Sequence, residues 1–518
     1  MKLAHPFMSR GAVVATEHPL ATAAAVEVLG RGGNAFDAAV AASLTLTVVL
    51  PHLGGLGGDF FALVRTRDGS IHFIDGSGPA PTQASIEKLR KMGYTSMPAR
   101  GPLAVTVPGL VDALRVMWQR FGSLEWRDLV SKAVSLAREG FPASRSLVRG
   151  AKAARGLLST DPGSVAYLAA DRVGALVRFP GLAQALERIA EDPRDFYEGD
   201  IARSIASYVQ QRGGLLSYED LSSYSASVRS PIAITYKSCK VHEAPPPTQG
   251  TTTLHLLKLT EQVELPRDPI AEERVAILLT MSLAAYEARD RYVTDPDFME
   301  VSVDELLDEA FIYKLYERAA SAASALPAKL RWRSSGDTTF FAIADVEGNL
   351  VAGIQSLYNH FGAAVTEPKY QVPLNNRGSD FVLDPNHANA LEPGKRTLHT
   401  LSAMVVECEK NIYALGTSGG HYRPQIHWWL ATNILDYGMQ LSEAIEAPRV
   451  LLDLRERRII TEEVPVDAVA RAYRYEVVRQ PYPSRTGVAA GVQLNLEDGV
   501  KVAVSDVRGD GVAFGTLG

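Results

Sequence analysis

Apolar positions recur with a helical period through most of the first 330 residues, and strand-like runs dominate after residue 338. A short strand at 12–16 precedes the Ala-rich segment 18–51, which predicts two closely packed helices joined by a turn at 32–34. Further helices are predicted over 109–140, 180–214, 252–263, 270–292 and 303–330, and strands over 339–345, 350–357, 402–408, 411–416 and 487–494. Helix-rich sequence followed by strand-rich sequence is typical of separate domains or of a layered α+β fold.

A β-hairpin is predicted directly after Thr338 and Thr339. Apolar residues fill 340–344, turn-forming residues interrupt them at 345–349, and the apolar run then resumes. The preceding segment, 331–336, is polar and contains serine and glycine, which is typical of chain that tolerates cleavage. Thr338 is therefore expected at the start of a strand that follows a cleavable segment.

A threonine in this position can act as a nucleophile if the chain is cut before it. A threonine hydroxyl is a poor nucleophile until a base takes its proton, and a new α-amino group has a pKa of about 7.7–8.0, which suits that task. The alternative is that two β-branched residues simply begin a strand. On these residues alone, that alternative is the commoner case.

Two glycine-rich turns invite a binding interpretation. The first, at 54–58, lacks the residues of a phosphate-binding loop, so close approach of another backbone is the expected reason for its glycines. The second, Gly-Thr-Ser-Gly-Gly at 416–420, follows a strand and precedes a helix with Pro424 in its first turn. Backbone N–H groups in such a turn can form an oxyanion hole, in which one donor lowers a barrier by about 2.7–4 kcal/mol. An ordinary tight turn is the alternative.

The composition is that of a globular protein and argues against several functions. The chain has 518 residues, 46% of them hydrophobic, and its net charge of −6 argues against a nucleic-acid or anionic-membrane surface. The two cysteines, Cys239 and Cys408, are too few for a disulfide framework or a cysteine zinc site and are expected to be inert core thiols. No histidine pair has metal-ligand spacing, so we expect no metal and no cofactor. Without a signal peptide or an apolar run of about 20 residues, a soluble cytoplasmic protein is expected.

Seven segments along the chain form a specific set because they occur together in one order. They are GGNAFDAAVAASLTLTVVLPHLGGLGGDFF, AVTVPGLVDAL, APPPTQGTTTLHLLKL, GDTTFFAIADVEGNLVAG, PLNNRGSDF, PGKRTLHTLSAM and GTSGGHYRPQI. In this order they resemble the γ-glutamyltranspeptidase family over nearly the whole chain. The resemblance implies an N-terminal-nucleophile hydrolase, an α+β protein built as an αββα four-layer sandwich.

The resemblance also implies that the chain cuts itself between Asp337 and Thr338. The products are a large subunit of residues 1–337 and a small subunit of residues 338–518, which together form one αββα unit. Thr338 is then the nucleophile of self-cleavage and, with its freed amine, the nucleophile that forms an acyl-enzyme from a small-molecule amide. The two subunits are expected to stay associated, and a dimer of such heterodimers is one arrangement that the resemblance allows.

Other positions acquire roles by the same resemblance. Gly419 and Gly420 are implied as the oxyanion glycines, and Ser356 as a hydroxyl that contacts the amine of the nucleophile. Asp380 matches the acidic residue that holds the α-amino group of the substrate. The alternatives are a strand hydroxyl that faces a neighbour for Ser356 and a helix or turn cap for Asp380.

The sequence departs from the family pattern around the substrate carboxylate. Ser77 stands where family members have an arginine that clamps this group. Arg377 replaces a Gln or Glu, Tyr358 replaces an Asn, and His399 and Thr400 replace a pair of serines. Loss of a bidentate arginine removes both charge and geometry.

These departures predict a different acyl donor. A cation at position 377 disfavours a substrate ammonium, so we expect an anionic group without an adjacent amine, such as a dicarboxylic acid monoamide, held by Arg377 with a contribution from His399. An ion pair between Arg377 and Asp380, which would neutralise both groups, is the alternative. The segment between Asp380 and Lys395 is too short for a long lid.

Two other functions remain open on the sequence. A non-catalytic scaffold of the same fold is favoured only by the missing clamp. A serine hydrolase built on Ser418 fits the Gly-x-Ser-x-Gly pattern of residues 416–420, but His421 and His427 come too early for the usual order of partners.

Overall fold

The computed structural model describes residues 5–322, 337–484 and 486–517. Its helices, α1 to α19 in chain order, are Pro19–Gly30, Ala35–Val49, Pro51–Gly54, Ile86–Lys91, Leu110–Phe121, Trp126–Glu139, Arg145–Ala153, Arg155–Leu158, Pro180–Glu191, Asp195–Glu198, Asp200–Gln211, Tyr218–Ser222, Gly250–Thr260, Glu272–Tyr292, Val303–Leu307, Glu309–Ala322, Arg423–Leu435, Leu441–Glu446 and Asp467–Tyr473. Its strands, β1 to β21, are Phe7–Ser9, Val13–Thr16, Asp59–Arg65, Ile71–Gly76, Phe141–Pro142, Leu176–Val177, Ser227–Arg229, Ile232–Tyr236, Cys239–Glu243, Asp337–Ala344, Leu350–Tyr358, Thr366–Glu367, Val372–Pro373, Met404–Glu407, Asn411–Thr417, Val450–Asp453, Arg458–Glu462, Glu476–Gln480, Ala489–Asn495, Lys501–Ser505 and Val512–Gly515.

Two seven-stranded sheets form the centre of the molecule. The first has the order β1-β20-β19-β15-β14-β9-β8 and the second β21-β2-β10-β11-β3-β4-β7. The strand pairs in both sheets are antiparallel. Both the segment before Asp337 and the segment after it contribute strands to each sheet.

Three apolar clusters hold four layers together. One fills the space between the sheets and includes Phe61, Phe340 and Val405. A second lies between the β10 sheet and a helical layer that includes α1, α2 and α6, and a third lies between the other sheet and α13, α14 and α17. The expected αββα sandwich is therefore the observed fold.

The hairpin of β10 and β11 lies at the centre of its sheet, and its residues alternate between two cores. Phe340 and Ala342 face the partner sheet, whereas Phe341 and Ile343 face the helices. A Cβ atom on Gly416 would lie 2.3 Å from the Phe340 ring, so the two sheets approach closely where β10 crosses β15.

Helix α2 follows its sequence pattern closely. Its 15 residues are all buried, which explains why alanine and other apolar residues occupy every side of it. Asn34 and Asp37 form a capping box that begins the helix. The glycines that follow serve close packing as expected, since a Cβ on Gly54 would meet the side chains of Gln355 and Thr339.

Most predicted elements agree with the observed ones apart from their ends, but three predicted helical segments are divided. The segments predicted as long helices at 109–140 and 180–214 divide into two and three helices, because turns interrupt them. The helix predicted over 303–330 divides into α15 and α16, and its last residues, 323–330, lie outside the described residues. None of the described helices combines the length and apolarity needed to cross a membrane.

The expectation for the cysteines is wrong, because Cys239 and Cys408 form a disulfide. They are 169 residues apart in sequence, but β9 pairs with β14 so that Lys240 lies opposite Glu407. The two cysteines are therefore neighbours across the strands, with Cα atoms 4.4 Å apart. The pairing of these strands could not be read from the sequence.

Candidate active site

Thr338 lies at an irregular point of β10. Asp337 pairs with Tyr358 and Thr339 with Gln355, so the register shifts across Thr338. The Thr338 side chain is buried, and its hydroxyl has no hydrogen-bond partner among the described residues. A buried polar group without a partner is uncommon and marks a candidate for chemistry.

Ser356 lies on β11, the neighbour of the Thr338 strand. It is buried, and its Oγ accepts a hydrogen bond from the Tyr358 N–H at 2.7 Å. On its other side, Ser356 pairs with Asp59 of β3. The structure therefore places this hydroxyl on the strand next to Thr338, and its expected contact with the Thr338 amine stays a prediction.

Gly419 and Gly420 lie in a loop between β15 and α17. Their φ angles are +142° and +54°, which residues other than glycine rarely adopt. The side-chain amide of Gln249 donates to the Gly420 carbonyl at 2.8 Å and to the Thr400 carbonyl at 3.0 Å. These contacts fix the loop that the sequence analysis assigned to the oxyanion.

Ser418, in the same loop, has a structural contact. Its Oγ accepts from the Val488 N–H at 2.8 Å, and its own N–H donates to the Val488 carbonyl at 2.9 Å. The serine therefore ties the loop to the segment before β19. This arrangement disfavours Ser418 as a nucleophile.

A buried arginine and histidine, which the sequence analysis missed, support the loop. Arg289 donates through Nη1 to Gln249 at 3.0 Å and to His421 Nδ1 at 3.1 Å. Burial and the charges of nearby arginines hold the pKa of His421 well below its usual value, so the ring is neutral. Its Nε2 then carries the proton and lies 3.5 Å from the Tyr358 hydroxyl.

Tyr358, which replaces a family asparagine, contacts the residue to which the resemblance assigns the substrate amine. Its hydroxyl donates a hydrogen bond to Asp380 Oδ1, and the residue adopts a φ of +82°, unusual for a tyrosine. The Arg377 guanidinium lies over the tyrosine ring, with Cζ 4.5 Å from the ring centroid. The carboxylate expected to hold a substrate ammonium is thus engaged by a protein hydroxyl.

Arg377 forms its ion pair with Asp59, so the alternative of a pair with Asp380 is wrong. Its Nε donates to Asp59 Oδ2 at 3.1 Å and its Nη1 to Thr400 Oγ1 at 3.1 Å. Its Nη2 is buried and has no partner among the described residues. Asp59 directly follows the glycine-rich segment at 54–58 and is the first residue of β3, and the sequence alone did not show that it meets Arg377.

His399 is a neutral side chain bonded to Asp59, and its expected contribution to donor binding stays a prediction. Its Nε2 donates to Asp59 Oδ2 at 3.0 Å, and its Nδ1 accepts from the Leu401 N–H at 3.2 Å. Burial, and then the charge of Arg377, lowers the pKa of His399 to about 4. The ring is therefore neutral near pH 7 and orients Asp59.

Ser77 lies apart from this cluster of contacts. Its hydroxyl and its N–H both bond to Asp75 Oδ1, at 2.6 and 3.0 Å. Arg229 and Arg396 approach the other oxygen of Asp75, at 3.0 and 3.4 Å. Arg229 and Arg396, which share Asp75 with Ser77, are therefore already bound to a carboxylate.

An open cavity of about 610 Å³ adjoins the site. Asp380 and His421, the two residues that the Tyr358 hydroxyl contacts, belong to its wall together with Leu398 and residues 381–384. Tyr358, whose backbone pairs with Asp337, therefore connects this wall to the Thr338 strand. Residues 381–384, in the short segment after Asp380, form part of this wall.

The chain is similar to known hydrolases over its whole length. The gamma-glutamyltranspeptidase family model matches residues 21–516. The glutathione hydrolase-like YwrD proenzyme of Bacillus subtilis is 36% identical over 97% of this chain and 98% of that protein. The oxamate amidohydrolase proenzyme of Klebsiella pneumoniae is 33% identical over 86% of this chain and 85% of that protein.

A solved structure has the same fold. The cephalosporin acylase from Bacillus halodurans superposes with a TM-score of 0.90 at 31% identity, covering 99% of this chain and 97% of that one. With a matching family model, these relatives and a four-layer αββα sandwich, the chain belongs to the gamma-glutamyltranspeptidase family of N-terminal-nucleophile hydrolases and is a hydrolytic enzyme.

Proposed function

We propose that this enzyme cleaves itself between Asp337 and Thr338 and then hydrolyses the amide of a small dicarboxylic acid monoamide through an acyl-Thr338 intermediate. The observation that carries the substrate class is the pair of contacts around Tyr358. Its hydroxyl engages Asp380, while Arg377 keeps one buried donor without a partner among the described residues. This arrangement of Tyr358, Asp380 and Arg377 suits a substrate carboxylate and disfavours a substrate ammonium group.

Self-cleavage requires attack by the Thr338 hydroxyl on the carbonyl carbon of Asp337. The C–N bond breaks, the amine of Thr338 takes up the proton, and an ester joins the two residues. Water then hydrolyses the ester to give the Asp337 carboxylate and the free Thr338 hydroxyl. The products are residues 1–337 and 338–518, which stay together because each contributes strands to both sheets.

Amide hydrolysis uses the same atoms. The free amine of Thr338 accepts the proton of its hydroxyl, and Oγ attacks the amide carbon. The backbone N–H groups of Gly419 and Gly420 stabilise the oxyanion, with Gln249 holding the loop in place. The leaving amine takes the proton, and water releases the diacid from the acyl-enzyme.

The names of two relatives support different donors. Oxamate appears in the name of the Klebsiella relative. It is the monoamide of a two-carbon diacid and has a carboxylate but no ammonium group, which fits the arrangement of Tyr358, Asp380 and Arg377. Glutathione hydrolase, the name of relatives from Escherichia coli and other bacteria, would imply a γ-glutamyl donor instead. The γ-glutamyl donor is the second candidate, and the engagement of Asp380 by Tyr358 disfavours it.

A substrate panel tests the proposal. Oxamate, succinamate and a γ-glutamyl anilide are compared by kcat/KM with the self-cleaved enzyme. We expect turnover of the monoamides and weak turnover of the anilide, and Arg377→Gln should raise the KM of the monoamides about tenfold, since one charge-assisted hydrogen bond is lost.

Two variants of the nucleophile serve as controls. Thr338→Ala should remain one chain without activity, and Thr338→Ser, which keeps a hydroxyl, should still cleave itself. Efficient turnover of the anilide with none of the monoamides would overturn the proposed donor. An active enzyme with an intact 337–338 bond would overturn the proposed mechanism.

A further inference from the structure

Arg423, the first residue of α17, is a buried cation with unused donors. Its side chain is fully buried, and Nε donates to the Thr417 carbonyl at 2.8 Å. Nη1 and Nη2 have no hydrogen-bond partner among the described residues. Burying a guanidinium without an anion on its Nη atoms is unfavourable, so this arrangement suits a ligand that supplies one.

The surroundings of Arg423 leave its charge available. Burial, and then the charge of Arg377, lowers its pKa to about 9, so it remains protonated at neutral pH. Glu243 is the nearby carboxylate, but its oxygens already accept from Ser402 and from His427 Nδ1, the latter at 2.6 Å. Arg377 and Arg423 are therefore two neighbouring guanidinium groups, of which Arg377 is paired with Asp59 and Arg423 has no bonded carboxylate among the described residues.

Both arginines flank the proposed oxyanion loop. Arg423 binds the Thr417 carbonyl at the start of the loop. Arg377 binds the Thr400 hydroxyl, and Gln249 joins the Thr400 carbonyl to the Gly420 carbonyl at the end of the loop. An anion between the two guanidinium groups would lie beside the place where the reacting carbonyl is expected.

We infer that Arg423 is a specificity-determining residue that binds, together with Arg377, the free carboxylate of the acyl donor. This inference rests on the proposed function and makes it more specific. Because the two cations lie beside the oxyanion loop, the carboxylate must be close to the scissile amide. The enzyme is therefore expected to prefer donors in which one carbon or none separates the carboxylate from the amide carbonyl.

A series of monoamides with zero to three intervening carbons tests the length preference. We expect kcat/KM to be highest for oxamate and malonamate and to fall by about tenfold or more for glutaramate. Arg423→Gln should raise the KM of the two short donors about tenfold and should lower kcat/KM for a neutral amide of the same length by a clearly smaller factor, because the variant also loses the contact with the Thr417 carbonyl. Arg423→Lys should restore part of the loss, because it restores the charge without the planar fork.

A structural role for Arg423 would give a different result. It would lower activity on charged and neutral amides equally, and that outcome, or a preference for glutaramate, would overturn the inference. Arg178→Gln removes an exposed, remote charge and should behave as wild type. Calorimetric binding of oxamate to wild type and to Arg423→Gln separates the two proposals, because wild type should bind it more tightly even if it is not turned over.

The disulfide supports a second inference, which is independent of Arg423 but rests on the proposed cleavage. Cys239 lies before the proposed cut and Cys408 after it, and the bond joins β9 to the residue that follows β14. Hydrolysis of the 337–338 peptide bond leaves the S–S bond untouched. We infer that the mature enzyme is a covalently linked heterodimer. Such bonds persist in oxidising compartments and in the cytosol of hyperthermophiles.

Gel electrophoresis in denaturant tests this link. After blocking of thiols, we expect one band near 56 kDa without reductant and, with reductant, bands of about 36 and 20 kDa, in proportion to 337 and 181 of the 518 residues. Cys408→Ser should give the two smaller bands in both conditions. Separate fragments from the unreduced wild type would overturn the inference.

Mass spectrometry distinguishes absence of the Cys239–Cys408 disulfide from absence of cleavage at the 337–338 peptide bond. If the reduced protein stays at 56 kDa, the proposed cleavage fails while the disulfide can still be examined. Alkylation of the unreduced, unfolded chain should then add no mass, and addition at two cysteines would overturn the disulfide.

Discussion

The hydroxyl of Tyr358 determines whether the Asp380 carboxylate is available to a substrate. Tyr358 donates to Asp380 and packs under Arg377, so the carboxylate is engaged while the cation keeps a free donor among the described residues. With an asparagine at position 358, as in the family pattern, no phenol would reach Asp380. The preference for an anionic donor therefore depends on Tyr358 as much as on Arg377.

Tyr358→Phe should weaken binding of the anionic donor. Without the hydroxyl, the Asp380 charge is no longer engaged and opposes a substrate carboxylate. We expect the KM of oxamate or succinamate to rise about tenfold, which corresponds to about 1.4 kcal/mol, with a smaller change in kcat. Tyr218→Phe removes a hydroxyl that bonds to the Glu198 carbonyl far along the chain and is the matched control. An unchanged KM in Tyr358→Phe would contradict this role.

At the level of elements, the sequence predicted the helices and strands that are set by local patterns of apolar and turn residues. The hairpin at 339–345 and 350–357 is observed as β10 and β11, because its two apolar runs and the turn residues between them are local signals. The pairing of β9 with β14, and hence the disulfide, depends on strands far apart in sequence and gave no local signal.

The residues of the candidate site also divide into those with a local sequence signal and those without one. Thr338 and the loop at 416–420 were identified because they begin or end a strand in a recognisable segment. Gln249 and His421 lie in segments that carry the family resemblance, so their polar side chains in those segments are the available sequence signal. Arg289 is buried within α14, and its contacts with Gln249 and His421 arise only when α14 packs against the loop.

Gly416→Ala should disturb the junction between the two sheets. The added Cβ would lie 2.3 Å from the Phe340 ring, two residues from Thr338, so the ring or a strand must shift. Overpacking of this kind typically costs about 1–3 kcal/mol, and we also expect slower self-cleavage because Thr338 is displaced. Urea unfolding and a time course of cleavage measure the two effects. Gly30→Ala, at a helix end where the new methyl group meets open space, is the control and should change neither.

Across the whole molecule, buried histidines link stability to pH. Burial lowers the pKa of His18, His255 and His399 to about 4, from a usual value of 6.5. Between pH 6.5 and 4 the unfolded chain binds protons that the folded protein does not, so stability falls as the pH falls through this range. Each histidine contributes a slope of up to about 1.4 kcal/mol per pH unit, and the slope ends below pH 4, where both states are protonated.

Two carboxylates extend the acid sensitivity below this range. The hydrogen bond from His242 lowers the pKa of Glu407 to about 2, and Arg508 lowers that of Glu462 to about 2 against the opposing effect of burial. Their stabilising contributions are present above pH 4.5 and are lost as the pH falls towards 2. Acid unfolding should therefore show a histidine-dependent loss first and a carboxylate-dependent loss at lower pH.

His255→Gln tests the histidine part of this dependence. His255 Nε2 donates to the Leu306 carbonyl at 2.8 Å, and a glutamine amide can keep a donor there without titrating near pH 5. We expect the free energy of urea unfolding, measured at intervals from pH 7 to 4, to fall less steeply in the variant, by up to about 1.4 kcal/mol per pH unit. The variant should approach or exceed wild-type stability towards pH 4, even if it is less stable at pH 7. Parallel curves for the two proteins would show that His255 is protonated equally in the folded and unfolded states and would contradict the prediction.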